Sequence, residues 1–215
     1  MSFHTVFFDL DGTLSDSKPG IIRSFQHALQ AFGVKAEPES LEQYIGPPLR
    51  ESFGKLGFDN DSVDAVIAKF RERYKTKGVY ELSLYPGIAE MIEVLHGKGK
   101  TLVLATSKAE DSAILIMEHT KLAPKFTAMA GADLVTGRLK KADVLRHACE
   151  KAGITDMDGC LMIGDREHDV HGAHALGMPC AAVLYGYGSR KELKEAGPEY
   201  LFESVADLRD WLIVC

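Results

Sequence analysis

Residues 5–14 of the 215-residue chain read Thr-Val-Phe-Phe-Asp-Leu-Asp-Gly-Thr-Leu. The first four residues are β-branched or aromatic, and a short run of this kind predicts a buried β-strand. Two aspartates and a glycine follow at once, which is typical of a strand that ends in a tight turn. The fold class follows from the way this unit recurs along the rest of the chain.

Four further runs of the same kind are each followed by polar or glycine-rich residues and then by a segment with helical periodicity. They lie at residues 101–105, 126–130, 160–163 and 180–184. Strands that alternate with helices form right-handed βαβ units and therefore a mostly parallel sheet. The strands are apolar almost throughout, as expected when helices cover both faces of the sheet. The sequence predicts an α/β protein with a doubly wound, mostly parallel sheet.

Residues 16–84 interrupt this alternation. Two apolar stripes with helical spacing run through residues 21–32 and 63–74, and a shorter helical candidate lies at residues 49–56. The stretch contains no strand pattern. We therefore expect an α-helical insertion of residues 16–84 in a core domain that is made of residues 1–15 and 85–215.

The composition excludes several classes of partner. The chain carries 25 lysines and arginines against 31 acidic residues, a net charge of −6, so we expect no binding to nucleic acid or to an anionic membrane. The longest uncharged stretch, residues 175–189, is too short to span a bilayer. The four cysteines have no paired or metal-binding spacing, and the N-terminus lacks a signal-peptide pattern. We expect a cytoplasmic protein.

Carboxylates follow two of the predicted strands. Asp9 and Asp11 follow the first strand, and Asp165 and Asp169 follow the strand at residues 160–163. Ligands of an open parallel sheet bind beyond the carboxyl ends of its strands, so we expect all four to gather at one edge. Two carboxylates about 4 Å apart repel by roughly 4 kcal/mol at an effective dielectric constant of about 20, and the cluster therefore needs a cation. All-oxygen ligands favour a hard ion, with Mg²⁺ as the first choice.

Each acidic segment also has a purely structural interpretation. An Asp-Gly pair is common in turns, and acidic residues at the start of a helix are favourable because they complement the helix dipole. Two such segments at the same edge of one sheet are harder to explain in this way, which favours a ligand site.

Residues suited to bind an anion lie near the same edge. Gly12 allows a sharp turn that brings backbone N–H groups close to a ligand. Thr106 and Ser107 offer hydroxyl groups and helix-entry amides after the strand at 101–105. Lys140 and Lys141 open a helix at its N-terminus, where a lysine is unfavourable without an anion, although solvated surface lysines are also common there.

These segments resemble, in their order, the four motifs of the haloacid dehalogenase-like (HAD-like) hydrolase superfamily. The matching segments are residues 9–13 (Asp-Leu-Asp-Gly-Thr), Thr106, Lys141 and residues 164–169 (Gly-Asp-Arg-Glu-His-Asp). The family spacing favours Lys141 over its neighbour as the third motif. The resemblance implies a HAD-like Rossmannoid core, in which the helical insertion is a cap domain.

Two further segments are similar to phosphoglycolate phosphatase-like members of the superfamily. They are residues 12–17 (Gly-Thr-Leu-Ser-Asp-Ser) and residues 46–49 (Gly-Pro-Pro-Leu). Arg50 follows the second segment directly, and it is either a substrate-specificity residue for a carboxylate or second phosphate, or a solvated arginine.

The resemblance also implies a role for each motif residue. Asp9 would be the nucleophile that forms an aspartyl-phosphate, and Asp11 the general acid and then the general base. The residues implied to hold Mg²⁺ are Asp9, Asp11, Asp165 and Asp169. The residues implied to bind the phosphoryl group are Gly12, Thr106, Ser107 and Lys141.

The activity implied by the resemblance is Mg²⁺-dependent hydrolysis of a small phosphorylated metabolite, such as phosphoglycolate, a nucleotide, pyrophosphate or a sugar phosphate. Asp11 favours phosphoryl transfer, because the dehalogenases of the superfamily lack this second aspartate. One alternative is a phosphomutase of the β-phosphoglucomutase type, and another is a non-catalytic regulatory protein that binds a phosphometabolite. We expect a monomer or a small homo-oligomer.

Two other features carry weaker hypotheses. His168, His171 and His174 invite a zinc site, but each step of three residues turns a helix by about 60°, so the outer two lie apart. The Tyr-Gly-Tyr-Gly-Ser segment at residues 185–189 follows the last long strand, where it either shapes a pocket or forms a flexible loop.

Overall fold

The computed structural model describes residues 2–215, and the chain divides into two compact units. The first unit contains the chain up to Asp16 and Leu84–Cys215, and the second is Ser17–Ser83. Asp16 and Leu84, which the sequence placed in the insertion, therefore belong to the first unit. Both lie in two-residue strands, β2 (Ser15–Asp16) and β3 (Ser83–Leu84), which are too short to produce a strand pattern.

The first unit is built on a six-stranded parallel sheet. Its strands are β1 (Thr5–Phe8), β4 (Thr101–Ala109), β5 (Ala128–Ala132), β6 (Cys160–Gly164), β7 (Cys180–Val183) and β8 (Tyr200–Phe202). Their order across the sheet is β5-β4-β1-β6-β7-β8, and all neighbouring pairs are parallel. The predicted α/β fold with a doubly wound parallel sheet is confirmed.

The largest differences between these strands and the sequence prediction lie in three places. Strand β4 continues past residue 105 through a polar segment, and its register with β5 shifts there, so the apolar pattern ends before the strand does. Strand β5 begins two residues later than predicted. Strand β8 was not predicted, because three partly buried residues at the edge of a sheet carry no periodicity that distinguishes them from a loop.

Ten α-helices are present in residues 2–215. They are α1 (Lys18–Ala31), α2 (Pro38–Leu41), α3 (Leu49–Lys55), α4 (Val63–Thr76), α5 (Ile88–Gly97), α6 (Glu110–His119), α7 (Lys141–Ala152), α8 (Glu167–His174), α9 (Arg190–Ala196) and α10 (Val205–Val214). Val144 and Leu145 of α7 and Val170 of α8 share one buried cluster with Phe7 and Met162 of the sheet. The start of each of these two helices is thereby held near the carboxyl ends of β1 and β6.

The chain order of the strands creates a crevice at one edge of the sheet. From β1 the chain proceeds outward through β4 to β5, and it then crosses to β6 and proceeds the other way through β7 to β8. The neighbours β1 and β6 therefore lead in opposite directions, which opens the ligand-binding crevice of such sheets at their carboxyl ends. The backbone N–H of Asp9 donates to the carbonyl of Ile163 at 2.9 Å and continues the β1–β6 pairing up to this edge.

The second unit contains α1 to α4 around an aromatic core. The rings of Phe25 and Phe53, and of Phe25 and Phe70, lie 5.0 Å apart between centroids, and all three side chains are buried. Phe25 and Phe70 come from the two apolar stripes that predicted the helices. Among the helices of the described chain, none is long and apolar enough to cross a membrane.

Candidate functional site

Four charged side chains are buried in residues 2–215, and they are Asp9, Lys141, Asp165 and Asp169. Charged residues are almost never fully buried unless they are paired or hold a ligand. Asp9 and Asp165 directly follow β1 and β6, Lys141 begins α7, and Asp169 lies in the first turn of α8. The topology of the sheet thus concentrates all of this buried charge at the crevice. We call these four residues the buried charge cluster.

Lys141 lies at the centre of the buried charge cluster. Its Nζ is 2.9 Å from Asp9 Oδ1, 2.6 Å from Asp169 Oδ1 and 2.9 Å from the carbonyl oxygen of Ala105. Burial alone lowers the pKa of a lysine, but the charges of Asp169 and Asp9 raise the pKa of Lys141 above its ordinary value, so it remains cationic. Lys140, the rival candidate, is exposed. The structure thus places Lys141, and not Lys140, in the buried charge cluster.

Asp9 is ionised although it is only 4% exposed. Burial raises its pKa, but the charges of Lys141 and His168, together with hydrogen bonds from Lys141 and Thr106, outweigh burial and lower the pKa below its ordinary value. A carboxylate held in this state at the mouth of the crevice is able to act as a nucleophile.

Asp165 has the opposite electrostatic character. Its carboxylate accepts hydrogen bonds from Thr13 Oγ1 at 3.1 Å and from the backbone N–H of Tyr187 at 2.7 Å. Burial, and then repulsion from Asp169 and Asp9, nevertheless raise its pKa well above the ordinary value. The buried charge cluster therefore holds three carboxylates and one ammonium, which contacts only Asp9 and Asp169 among them, and a cation beside Asp165 would reduce the repulsion.

Asp169 connects the start of α8 to the buried charge cluster. Its Oδ2 accepts a hydrogen bond from the backbone N–H of Arg166 at 3.1 Å and caps the helix, while its Oδ1 faces Lys141. Gly164 is required beside it, because a Cβ at this position would lie 2.3 Å from Asp169 Cγ. The sequence motif Gly-Asp-x-x-x-Asp therefore places both carboxylates through a tight strand-to-helix turn.

His168 is the histidine that reaches the site. Potential ligand atoms of Asp9, His168 and Asp169 lie within 4.8 Å of one another. His174 instead pairs with Glu199 at 3.1 Å, away from this group. From the sequence, His168 was considered only as one ligand of a zinc site together with His171 and His174. Its position directly before Asp169 was the signal that could have identified it as a residue of this site.

Asp11 differs from Asp9 in its partner. Its Oδ2 pairs with the ammonium of Lys108, and its buried Oδ1 has no hydrogen-bond partner among the described residues. The turn that follows is closed by a hydrogen bond from Gly12 N to Ser15 O at 2.8 Å. Gly12 has a φ of +86°, and a Cβ there would lie 2.2 Å from Asp165 Oδ2, so only glycine fits.

Strand β4 ends in polar residues that line the same edge. Thr106 is buried beside Asp9, whereas Ser107 is exposed. Thr106 Oγ1 also accepts a hydrogen bond from the backbone N–H of Lys108 at 3.2 Å. Lys108 was not predicted as a site residue, although its position directly after the two candidate phosphate ligands was a usable signal.

The segment at residues 185–189 packs closely against Asp165. A Cβ at Gly186 would lie 2.3 Å from the carbonyl oxygen of Gly12 and 2.4 Å from Asp165 Cβ, and a Cβ at Gly188 would lie 1.9 Å from the Asp165 carbonyl oxygen. Its glycines therefore permit close backbone contact. The segment thus packs against the Cβ and the carbonyl oxygen of Asp165, a role that neither of the two sequence hypotheses described.

Arg50 lies in the second unit, on α3. Its guanidinium pairs with Asp64, and the two side chains are 57% and 74% exposed. Exposed ion pairs of this kind contribute little to stability. Within its unit, Arg50 is therefore a surface residue whose side chain could exchange Asp64 for another anion at small cost.

Comparison with known proteins places this site in a family. The family model of haloacid dehalogenase-like hydrolases matches residues 6–183. A 5'-nucleotidase of Pseudomonas aeruginosa is 40% identical over 215 residues, which cover 99% of this chain and 96% of that protein. The tyrosine-protein kinase PtkA of Mycobacterium tuberculosis is 39% identical over 184 residues, and the match covers 85% of this chain but 62% of PtkA.

A solved structure also resembles this chain over its whole length. The crystal structure of a predicted phosphatase from Clostridium acetobutylicum superimposes with a TM-score of 0.91 at 39% identity, and the match covers 100% of both chains. The family match includes the strands and helices that carry the buried charge cluster. The chain therefore belongs to the haloacid dehalogenase-like hydrolase family, as the resemblance of its motifs predicted, and it is a phosphoric monoester hydrolase of the phosphatase-like members of that family.

Proposed function

We propose that this phosphatase hydrolyses a small phosphomonoester with Mg²⁺, through an aspartyl-phosphate formed on Asp9. The observation that carries the proposal is the concentration of all the buried charge of residues 2–215 at the crevice between β1 and β6. A folded chain retains such a cluster at a cost in stability, and functional sites are where this cost is common.

The proposed Mg²⁺ ligands are the carboxylates of Asp9, Asp165 and Asp169 and the backbone carbonyl of Asp11. Two observations support the fit: the donors are all oxygen atoms, and burial, followed by the negative charges of Asp169 and Asp9, raises the pKa of Asp165. Bound Mg²⁺ would neutralise the charge of the carboxylates and polarise the phosphoryl group, so that an anionic substrate could approach.

In the first proposed step, a carboxylate oxygen of Asp9 forms a bond to phosphorus while the bond from phosphorus to the leaving oxygen breaks. Asp11, which enters this step as the neutral acid, gives its proton to that oxygen, so the product alcohol leaves neutral and Asp11 becomes a carboxylate. Lys141 and Thr106, which already contact Asp9, would stabilise the negative charge on the phosphoryl oxygens, together with backbone amides at Ser107 and Gly12.

In the second proposed step, a water molecule attacks the same phosphorus and the bond to Asp9 breaks. Asp11 takes the proton that the water loses, so the enzyme returns to its starting protonation state as phosphate leaves. The same aspartate therefore serves as acid and then as base. This cycle needs no group beyond the substrate, water, the ion and the residues named.

The similarity to the 5'-nucleotidase supports nucleoside 5'-monophosphates as the first substrates to test. We further propose that the helical insertion acts as a cap that selects the substrate. Arg50 is then the candidate for contact with a second anionic group, since its present partner Asp64 is exposed and easily replaced.

Removal of the metal is expected to abolish hydrolysis, because the phosphate dianion would otherwise approach three carboxylates. The measurement is phosphate release by chelator-treated protein before and after addition of Mg²⁺, with thermal unfolding recorded in the same samples. We expect Mg²⁺ to restore the activity and to raise the unfolding temperature, since a ligand that binds only the folded state stabilises it. Full activity in excess chelator would contradict the proposed metal site.

The type of reaction is tested by measuring both products together. With nucleoside monophosphates, phosphoglycolate, sugar phosphates and pyrophosphate as substrates, we expect one substrate class to dominate in kcat/KM. Its alcohol or second product should appear in an amount equal to free phosphate. Isomerised sugar phosphate without phosphate release would identify a mutase, and binding without turnover would identify a regulatory protein.

A further inference from the structure

An ion pair between Lys108 and Asp11 joins the carboxyl ends of β1 and β4. The side chains are only 8% and 20% exposed, so this is a largely desolvated pair and not a surface contact. The backbone N–H of Lys108 donates to Thr106 Oγ1, which holds the lysine at the strand end beside the buried charge cluster. A partly buried pair of this kind orients its carboxylate more strongly than an exposed one, because water competes with it less.

The pairing makes the two oxygens of Asp11 inequivalent. Oδ2 contacts the ammonium of Lys108, whereas Oδ1 is buried and has no hydrogen-bond partner in the described chain. A buried oxygen without a partner is unfavourable, unless the site uses it when a ligand is bound. Oδ1 is thus the oxygen available to carry a proton to or from a bound substrate.

We propose that Lys108 is a positioning residue that anchors Asp11 through Oδ2, so that Oδ1 delivers the proton to the leaving group and later takes one from water. The proposal rests on the proposed role of Asp11 as the proton carrier. It extends that role by naming the atom that carries the proton and the residue that aims it.

The consequence depends on the leaving group. As the bond from phosphorus to an alkyl oxygen breaks and the bond to Asp9 forms, the departing alkoxide needs the proton from Asp11 Oδ1. p-Nitrophenolate is a much weaker base, and it departs without a proton. If Asp11 is poorly oriented, the hydrolysis of alkyl phosphates should therefore slow selectively, since general acid catalysis contributes most where the leaving group is most basic.

The experiment compares Lys108→Met and Lys108→Arg with the wild type, using an alkyl phosphate and p-nitrophenyl phosphate in saturating Mg²⁺. We expect Lys108→Met to lower kcat/KM for the alkyl phosphate by about ten- to a hundredfold and to change the value for p-nitrophenyl phosphate much less. Lys108→Arg should recover part of the loss, because it retains the charge. Lys140→Met is the matched control, since Lys140 is exposed, and it should leave both values unchanged.

Other roles of Lys108 predict other patterns. A lysine that only supports the fold would lower both values together when it is removed, and one that binds the substrate anion would raise KM for both substrates. No loss on either substrate would mean that the ion pair has no part in the reaction. Any of these three results overturns the positioning role.

Asp11→Asn separates this inference from the proposed function. We expect it to reproduce the selective loss on the alkyl phosphate, and we expect addition of Lys108→Met to cause little further loss, because the two residues act as one unit. If Asp11→Asn retains activity on the alkyl phosphate, the proton-carrier role itself fails. If Asp11→Asn is selective and Lys108→Met is not, only the role of Lys108 fails.

Discussion

Asp9→Asn is expected to lower kcat by a factor on the order of 10⁴ or more, as is typical when a covalent nucleophile is removed. The amide is a poor nucleophile, and no other carboxylate has the combination of a lowered pKa and direct contact with Lys141 and Thr106 among the described residues. The fold should persist, because Lys141 still pairs with Asp169 and one repulsive charge has gone. Phosphate release and thermal unfolding measure the two effects.

The matched control is Asp210→Asn, the same change at an exposed position of α10. It should leave kcat unchanged. Quenched wild-type protein should also carry labelled phosphate from the substrate, whereas the Asp9→Asn protein should not. Turnover close to that of the wild type in Asp9→Asn, or equal labelling of both proteins, would rule out the proposed nucleophile.

Lys141→Met should have the second largest effect, and it should reduce both activity and stability. Loss of the ammonium removes charge stabilisation from the transition state, for which we expect a decrease in kcat of about 10²- to 10³-fold. It also leaves Asp9 and Asp169 buried without the cation that pairs with both. Removal of one partner from a buried ion pair typically costs about 3 to 5 kcal/mol, and we expect a loss of this size in the free energy of unfolding.

Mg²⁺ should return part of the lost stability to Lys141→Met, because the ion replaces some of the missing positive charge, but it should not return the activity. Lys140→Met is the control at the neighbouring exposed lysine, and it should unfold like the wild type. Denaturant unfolding with and without Mg²⁺ measures both expectations. Equal stability of Lys141→Met and Lys140→Met would mean that the folded state does not need Lys141 to compensate the buried carboxylates.

Most of the fold was predictable because long-range order in this chain follows a local rule. Each long strand is an apolar run, and strands that alternate with helices must pair in parallel. The prediction of strands fails where a strand, or part of one, has no apolar run of its own. Strand β8 and the two-residue strands β2 and β3 exist because neighbouring backbone offers hydrogen bonds, and the polar end of β4 continues the strand without an apolar pattern.

Some residues of the candidate site were likewise predictable from the sequence, and others were not. Its acidic members were visible as carboxylates after strands, and the order of the motifs assigned them expected roles. The choice between Lys140 and Lys141 depended on which way the first turn of α7 faces, and that follows from the packing of Val144 and Leu145 against the sheet. Lys108 directly follows the candidate residues Thr106 and Ser107, but its partner Asp11 is 97 residues away in sequence.

The residue types and their spacing along the chain were enough to specify a parallel α/β fold with acidic strand ends, because periodicity and motif spacing are local properties, and the resemblance of the motifs to a known family implied a phosphatase. Which charges are buried, which oxygen of Asp11 has a partner and which has none among residues 2–215, and why Gly12 and Gly186 must be glycines became known only from the folded chain. These features depend on atoms from β1, β4, β6 and the segment at 185–189 meeting at a few ångströms. Burial and close approach are collective results of packing, and no single stretch of sequence contains them.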